Sequence, residues 1–311
     1  MEDFVQEISD RIREAAESRT SLFIHGGRSK DFYGEAAKGT PVDIQPYSGI
    51  IDYQPTELVI TARAGTPLAD IEAIMRDHGQ MLAFEPPHFS PGATLGGAIA
   101  SGLSGPRRAY AGAARDLVLG VRMIDGNGVN LRFGGQVMKN VAGYDVSRFM
   151  AGAMGTLGVL LEISLKALPL PPAEATLVFE YTEAEAIAKI NAWSGKPLPL
   201  SATTWHDGHL HVRLSGSVSG VRAAREVLGG ELLNEDEARL YWNDIRNQRH
   251  EFFEEDVIPL WRIAVRSTAE PLAIHGRMLH EWGGALRWVR TLAAPGTIRD
   301  IAARAGGHAT L

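Results

Sequence analysis

Three glycine clusters between residues 91 and 168 limit what this chain can fold into: Pro91-Gly92-Ala93-Thr94-Leu95-Gly96-Gly97, Lys139-Asn140-Val141-Ala142-Gly143-Tyr144-Asp145 and Gly155-Thr156-Leu157-Gly158. Each falls at a junction between apolar runs, where the chain must turn tightly or bring its backbone close to something. Glycine permits both. A fourth cluster, His25-Gly26-Gly27-Arg28-Ser29, follows the apolar run Leu22-Phe23-Ile24, the pattern of a strand ending in a loop of exposed amides. Backbone N–H groups converging in such loops make concave sites for anions. One loop of this kind says little; four in one half of a chain predict a long, folded, phosphate-bearing ligand laid across that half.

Apolar periodicity predicts the elements around these clusters. Phe4, Val5, Ile8, Ile12, Ala15 and Ala16 fall on one stripe of a helix over 2–18. Thr66-Pro67 predicts a second helix start, with the hydroxyl as cap, Leu68, Ile71, Ile74 and Met75 as the buried face, and Gly79 past the end. Strands are expected at 58–62, 81–84, 117–125 with 129–133, and 159–168, the third pair turned at Gly126-Asn127-Gly128. The alternation suggests an α+β domain of two small subdomains with the ligand between them. Near Pro169-Leu170-Pro171-Pro172 the composition changes: all six tryptophans lie beyond it and 22 of the 34 glycines before it, which marks a domain boundary. Beyond it the pattern predicts a strand at 175–181, a capping box at Thr182-Glu183-Ala184-Glu185, a hairpin of 202–206 and 210–214 turned at Asp207-Gly208, helices at 221–228, 235–253 and 271–282, and strands at 260–266 and 285–292.

Composition removes several classes of function. The 311 residues suffice for two domains with their own cores. A net charge of −6 argues against a nucleic-acid partner. The chain has no cysteine, so it holds no disulfide, thiolate nucleophile or cysteine-ligated iron–sulfur cluster of its own. The start Met1-Glu2-Asp3-Phe4 lacks the lead of a signal peptide, and no apolar run approaches the ~18 residues of a membrane span. The expectation is a cytoplasmic protein with no membrane span. No Gly-x-Gly-x-x-Gly follows a strand, which disfavours a nicotinamide fold, and no Walker-type loop occurs.

Several stretches together are recognisable: residues 25–33, 91–105, 114–120, 135–145 and 152–158. They resemble the flavoproteins of the vanillyl-alcohol oxidase type, and among these the smaller FAD-binding subunit of bacterial glycolate oxidase. The likeness is close over residues 1–170 and looser beyond. It implies an α+β fold, with a two-subdomain FAD-binding domain over 1–170 and a smaller antiparallel-sheet α+β cap domain over 171–311, helices on one face of its sheet. It further implies a larger flavin-containing glycolate oxidase subunit and an iron–sulfur subunit as partners, a small hydroxy acid as substrate of the complex, and a peripheral place at the inner face of the cell membrane. The FAD is expected to be noncovalent: where relatives tether flavin from the first loop, their histidine aligns with Arg28 rather than His25, and no cysteine is present. Relatives continue past Gly306-Gly307-His308-Ala309-Thr310-Leu311 with a further segment, so the resemblance implies a shortened chain or an unusual member.

The resemblance assigns cofactor contacts residue by residue. His25, Gly26, Gly27, Arg28, Ser29 and Lys30 cradle the pyrophosphate. Pro91, Gly92, Ala93, Thr94, Gly96 and Gly97 bring backbone near the ribityl chain and diphosphate, with hydroxyls from Ser101 and Ser104 and with Gly105 closing the run; a small-residue helix packed on a neighbour is the other reading of the same pattern. Arg107 and Arg108, with Tyr110, cover the phosphate or adenine side, or are simply solvated. Gly155, Thr156, Gly158, Val159 and Leu160 meet adenine and ribose, and Lys139 stands near the flavin pyrimidine, unless its loop is a subunit contact. No catalytic residue is assigned. His206-Asp207-Gly208-His209-Leu210-His211 imitates a metal motif only partly, doubles as a hairpin turn, and is assigned no metal; His250, His275, His280 and His308 show no partner by spacing. Two other functions stand beside the leading one: a stand-alone FAD-dependent 2-hydroxy-acid dehydrogenase, its substrate clamped by Arg213, Arg262, Arg266 or Arg287, and a non-catalytic assembly subunit.

Overall fold

The computed structural model describes residues 1–36, 38–135, 144–254 and 257–311. It divides into two compact units, one of residues 1–104 and 112–170, the other of 105–111 and 171–311.

The first unit opens with α1 (Glu2–Ser18), which buries Val5, Ile8, Ile12 and Ala15 and leaves Ala16 in solvent. Its N-terminus is anchored by a buried guanidinium: Arg122 donates to both carboxylate oxygens of Glu2, at 3.1 and 3.0 Å, and to Glu162 at 2.7 Å. Strands β1 (Leu22–His25) and β2 (Thr40–Asp43) form a parallel pair. The main sheet takes β3 (Ile50–Gln54), β4 (Val59–Arg63), β6 (Val118–Ile124), β7 (Asn130–Gly134) and β8 (Val159–Lys166) in the order β3-β4-β8-β6-β7, antiparallel throughout. Helix α2 (Leu68–Asp77), β5 (Gln80–Met81), α3 (Leu95–Ser101), α5 (Ala114–Leu117), α6 (Val146–Phe149) and β9 (Leu168–Pro169) complete it, with β5 paired to β9. The 126–128 turn closes the β6–β7 hairpin as expected, its Asp125 carboxylate accepting the amides of Asn127 and Val129 at 2.9 Å each. Two details differ from the sequence pattern. Thr66 does not cap α2, because its hydroxyl is bound to the backbone of Gly49, and Ile74 on the same helix is 37% exposed rather than core. The expected strand over 81–84 shrinks to Gln80–Met81.

In the second unit α4 (Arg108–Ala111) joins β10 (Ala173–Glu180), α7 (Glu183–Ser194), β11 (Leu200–His206), β12 (His209–Gly216), α8 (Val218–Leu228), β13 (Glu231–Leu232), α9 (Glu235–Arg246), α10 (Glu251–Glu254), β14 (Leu260–Ala264), β15 (Arg277–Glu281), β16 (Leu286–Arg290), α11 (Pro295–Arg304) and β17 (His308–Thr310). The strands form one eight-stranded antiparallel sheet in the order β13-β10-β12-β11-β15-β16-β14-β17. The Thr182 capping box forms, with Thr182 accepting from the Glu185 amide and Glu185 from the Thr182 amide. Helices cover both faces of this sheet, which corrects the one-face expectation. Leu177, Phe179, Leu210, Val212 and Leu214 pack with α7 and α8. The alternate positions point the other way: Thr176 accepts from Trp242 of α9, and His211 stacks on Tyr241 of α9 with ring centres 4.0 Å apart. Strand periodicity of 2 makes the two faces separate cores. The expected helix over 271–282 is instead a loop and β15; Pro271 and Gly276 interrupt a helix, and β15 gains two strand neighbours by pairing with β11 and β16. Among the described residues no helix is long and apolar enough to cross a membrane.

Candidate functional site

The loop after β1 touches the bend before α3 backbone to backbone. A Cβ added to Gly27 would stand 1.5 Å from the Gly92 carbonyl oxygen, and one on Gly26 would stand 2.6 Å from Thr94 Oγ1. No side chain fits there, so these glycines are required by contact rather than by turn geometry alone. Arg28 follows in the left-handed region at φ 55°, a strained setting for a non-glycine residue. Its guanidinium is held by Asp31 at 2.6 Å and lies over Phe23. Lys30 donates to Ser29 Oγ at 3.2 Å and lies 5.5 Å over Phe89.

The amides of this loop are its notable chemistry. The backbone N–H groups of Gly26, Gly27, Arg28 and Ser29 find no acceptor among the described residues, whereas Asp31 and Tyr33 return theirs to the carbonyls of Arg28 and Lys30. Four successive unanswered donors in a bend form a ready anion nest. The α3 terminus is different. Thr94 caps it, accepting from Gly97 N at 3.2 Å, while the amides of Leu95 and Gly96 donate to Thr66 and Ala64 carbonyls at 2.9 and 2.7 Å. The first turn of α3 therefore has its Leu95 and Gly96 donors spent on the loop after β4, and what the 91–97 bend contributes is close backbone rather than a row of free amides.

The third bend meets the same elements. Gly102 ends α3 at φ 63°, and a Cβ there would lie 3.0 Å from the backbone of Gly152. The amides of Gly152 and Met154 donate to the Ile99 and Ala100 carbonyls, both at 2.9 Å. Gly155 faces Ile24 of β1, and Gly158 (φ 139°) fits tightly against the Ile124 carbonyl before Val159 and Leu160 enter β8. Thr156 donates to Ala153. Residues 25–29, 91–97 and 152–158 are thus brought together around β1 and α3.

Other expected contacts have different employment. Ser101 donates within α3 to Ala98, and Ser104 Oγ accepts from the Ala114 amide at 3.0 Å. Gly105 and Arg108 belong to the second unit, where the Gly105 carbonyl accepts from Trp282 Nε1 and the Arg108 guanidinium lies 4.3 Å over the Trp282 ring. Arg107 pairs there with Glu174 at 2.6 Å. Lys139 and Asn140 lie outside the described residues; Asp145 caps α6 and Tyr144 is 94% exposed. Among the arginines considered for a substrate clamp, Arg213 is bound to Ser201 and covers Trp242, and Arg287, wholly buried, donates to three carbonyls. The His206–His211 hairpin turns at Asp207-Gly208, and His206 and His209 point Nδ1 at the carbonyls of Met278 and Asp207. His280, expected to lack a partner, stands 3.2 Å from Glu183 in the core, where burial lowers its pKa.

Sequence reading missed the segment before the second bend. Glu85 and Phe89 both sit at positive φ, 48° and 58°, bracketing Pro86, Pro87 and His88. His88 Nε2 stands 3.2 Å from Glu72 of α2, and Phe89 meets Phe32 edge to face with ring centres 5.0 Å apart. Two adjacent prolines ahead of a glycine bend were the available signal. Backbone strain of this kind collects at functional sites.

Residues 4–134 match the family described as FAD binding domain. The chain is 48% identical over 310 residues to the glycolate oxidase subunit GlcE of Escherichia coli (strain K12), covering 99% of this chain and 87% of that one. It is 33% identical over 140 residues to the glycolate oxidase subunit GlcD of Bacillus subtilis (strain 168), covering 45% of this chain and 30% of that one. It is 27% identical over 201 residues to the D-2-hydroxyglutarate dehydrogenase of Xanthomonas citri pv. viticola, 64% of this chain and 42% of that one. A solved structure of alkyldihydroxyacetonephosphate synthase superposes with TM-score 0.67 at 13% identity, over 97% of this chain and 69% of that one, which establishes the fold alone. With nearly half its residues shared along almost its whole length, the chain belongs to the family of the glycolate oxidase subunit GlcE, built on an FAD binding domain.

Proposed function

We propose that this chain is the FAD-carrying subunit of a complex that oxidises glycolate to glyoxylate, working with a larger flavin-containing subunit and passing electrons to an iron–sulfur subunit. The observation that carries the reading is the run of four amides at residues 26–29 that find no acceptor among the described residues, set against the 91–97 bend so closely that no Cβ fits. A pyrophosphate supplies the missing acceptors, and residues 25–30 would hold it. The 91–97 and 155–160 segments would line the rest of a dinucleotide by main-chain contact, each hydrogen bond contributing about 0.5–1.5 kcal/mol net. Bound FAD supplies a centre that takes up two electrons and releases them singly.

The absence of cysteine requires that any cysteine-held cluster belong to another chain. Of the four arginines that could clamp a substrate, Arg213 and Arg287 are consumed in structural bonds, Arg262 lies over Trp282 and Trp288, and only Arg266 keeps its guanidinium uncommitted among the described residues, while His280 is shut in the core with Glu183; this favours a carrier role over a self-sufficient dehydrogenase. The place of the complex is the cytoplasm, with peripheral attachment at the inner face of the cell membrane.

The test is the flavin absorbance of the purified chain under anaerobic glycolate, alone and with its partner subunits. Bleaching only in the presence of partners is the expected result. Bleaching of the isolated chain would make it a stand-alone 2-hydroxy-acid dehydrogenase, and no bleaching in the full assembly would remove glycolate as the substrate.

A further inference from the structure

The second unit contains a cavity of about 460 Å³ between the loop after β14 and the end of α11, a size ordinary for small-molecule sites. Arg266, Thr268 and Arg304 line it, and Glu270 is the single acid among the described lining residues. Neither arginine forms an ion pair or a side-chain hydrogen bond among the described residues, in a chain whose net charge is −6. Both side chains are exposed and line the same concavity, where an anion would be attracted by each. A helix-end arginine such as Arg304 complements the helix dipole by itself, but that does not account for Arg266.

The loop is also braced from beneath. Arg287 is 0% exposed and donates to the carbonyls of Glu270 at 2.7 Å, Ala269 and Gly284. From α7, Asn191 donates to the Ser267 carbonyl at 3.0 Å and accepts from the Ser267 hydroxyl at 3.1 Å. Burying a guanidinium is expensive unless its donors are met, and here two of the three acceptors, the carbonyls of Ala269 and Glu270, belong to residues that line the cavity. A wall held rigid before binding reduces the ordering cost of taking up a ligand. Leu272 and Ile301 give the cavity an apolar side.

We propose that this cavity binds a small organic carboxylate with an apolar body. The carboxylate lies between Arg266 and Arg304, the Thr268 hydroxyl donates to it, and the apolar part rests on Leu272 and Ile301. Glu270 opposes the anion and sets a limit on its charge. Nothing in this inference depends on flavin binding by the first unit.

Calorimetric titration of the full chain with benzoate, benzamide and inorganic phosphate tests it. Benzoate should bind in the millimolar range and neutral benzamide should not. Arg266→Ala and Arg304→Ala should each weaken benzoate by about 10-fold or more, the loss of a charge-assisted contact. Glu270→Gln should tighten it by roughly 3-fold, since it removes the opposing charge, and a gain of this kind does not arise from misfolding. Absence of benzoate binding, equal binding of benzamide, or arginine variants that bind like the parent would overturn the proposal. Phosphate binding more tightly than benzoate would overturn the carboxylate assignment.

Discussion

Gly27 and Gly126 separate two roles that a count of glycines merges. A methyl on Gly27 collides with the Gly92 carbonyl at 1.5 Å, whereas one on Gly126 meets nothing within 4 Å. Gly27→Ala should push the first two bends apart at a cost of ~3 kcal/mol or more, and the purified variant should lose its flavin absorbance; Gly126→Ala should keep it. Gly97, whose added Cβ meets only Thr94 Oγ1 at 3.2 Å, is a weaker probe of the same site. His211 makes a separate prediction. Burial, with His209, His250 and His206 nearby, lowers its pKa from 6.5 to about 4. The folded chain thus resists protonation where the unfolded chain accepts it, so its contribution is intact above pH 6.5 and is lost as pH falls from 6.5 towards about 4. The loss amounts to ~3 kcal/mol at most. Urea midpoints at pH 7 and pH 5 should differ in the parent, and the difference should shrink in His211→Phe, which keeps the stack on Tyr241. An unchanged difference in His211→Phe would assign the acid sensitivity elsewhere.

Among the elements, those with local signals were legible and those made by tertiary pairing were not. Helix α1, the hairpin at residues 126–128 and the Thr182 capping box follow from spacing, caps and turn residues within a few positions of each other. Strand β15 looked helical because its apolar residues allow either period, and only pairing to β11 and β16 decides between them. Helix α11 had a usable signal that was passed over: Pro295 in the first turn, then Ile298, Ile301 and Ala302 at helical spacing. The second face of the large sheet could have been suspected from Thr176, Thr204, His211 and Arg213, which are polar but buried or nearly so, and which meet α9. Arg287 ties β16 to the loop after β14, so Arg287→Leu should leave three carbonyls without a donor and destabilise the second unit by ~3 kcal/mol. Thermal unfolding of the variant checks this, and an unchanged midpoint would mean that water replaces the guanidinium without loss.

For the molecule as a whole, the glycine bends pointed to a long phosphate-bearing ligand, because close backbone approach leaves a mark in composition, and the resemblance of the stretches around them implied FAD. Which donors remain free was not legible. The resemblance brings the 91–97 backbone near the ribityl chain and diphosphate, yet the amides of Leu95 and Gly96 donate to carbonyls some 30 residues upstream. Likewise the pairs His280–Glu183 and His88–Glu72 join residues far apart in sequence, and no spacing rule finds them. A pyrophosphate gripped by the amides of residues 26–29 is what holds the cofactor in the proposed site. Titration of the flavin-stripped chain with FAD measures this directly, in the parent, Gly27→Ala and Gly126→Ala. One FAD bound per chain in the parent and in Gly126→Ala, with binding abolished in Gly27→Ala, is the predicted result; full FAD binding by a folded Gly27→Ala chain would contradict it.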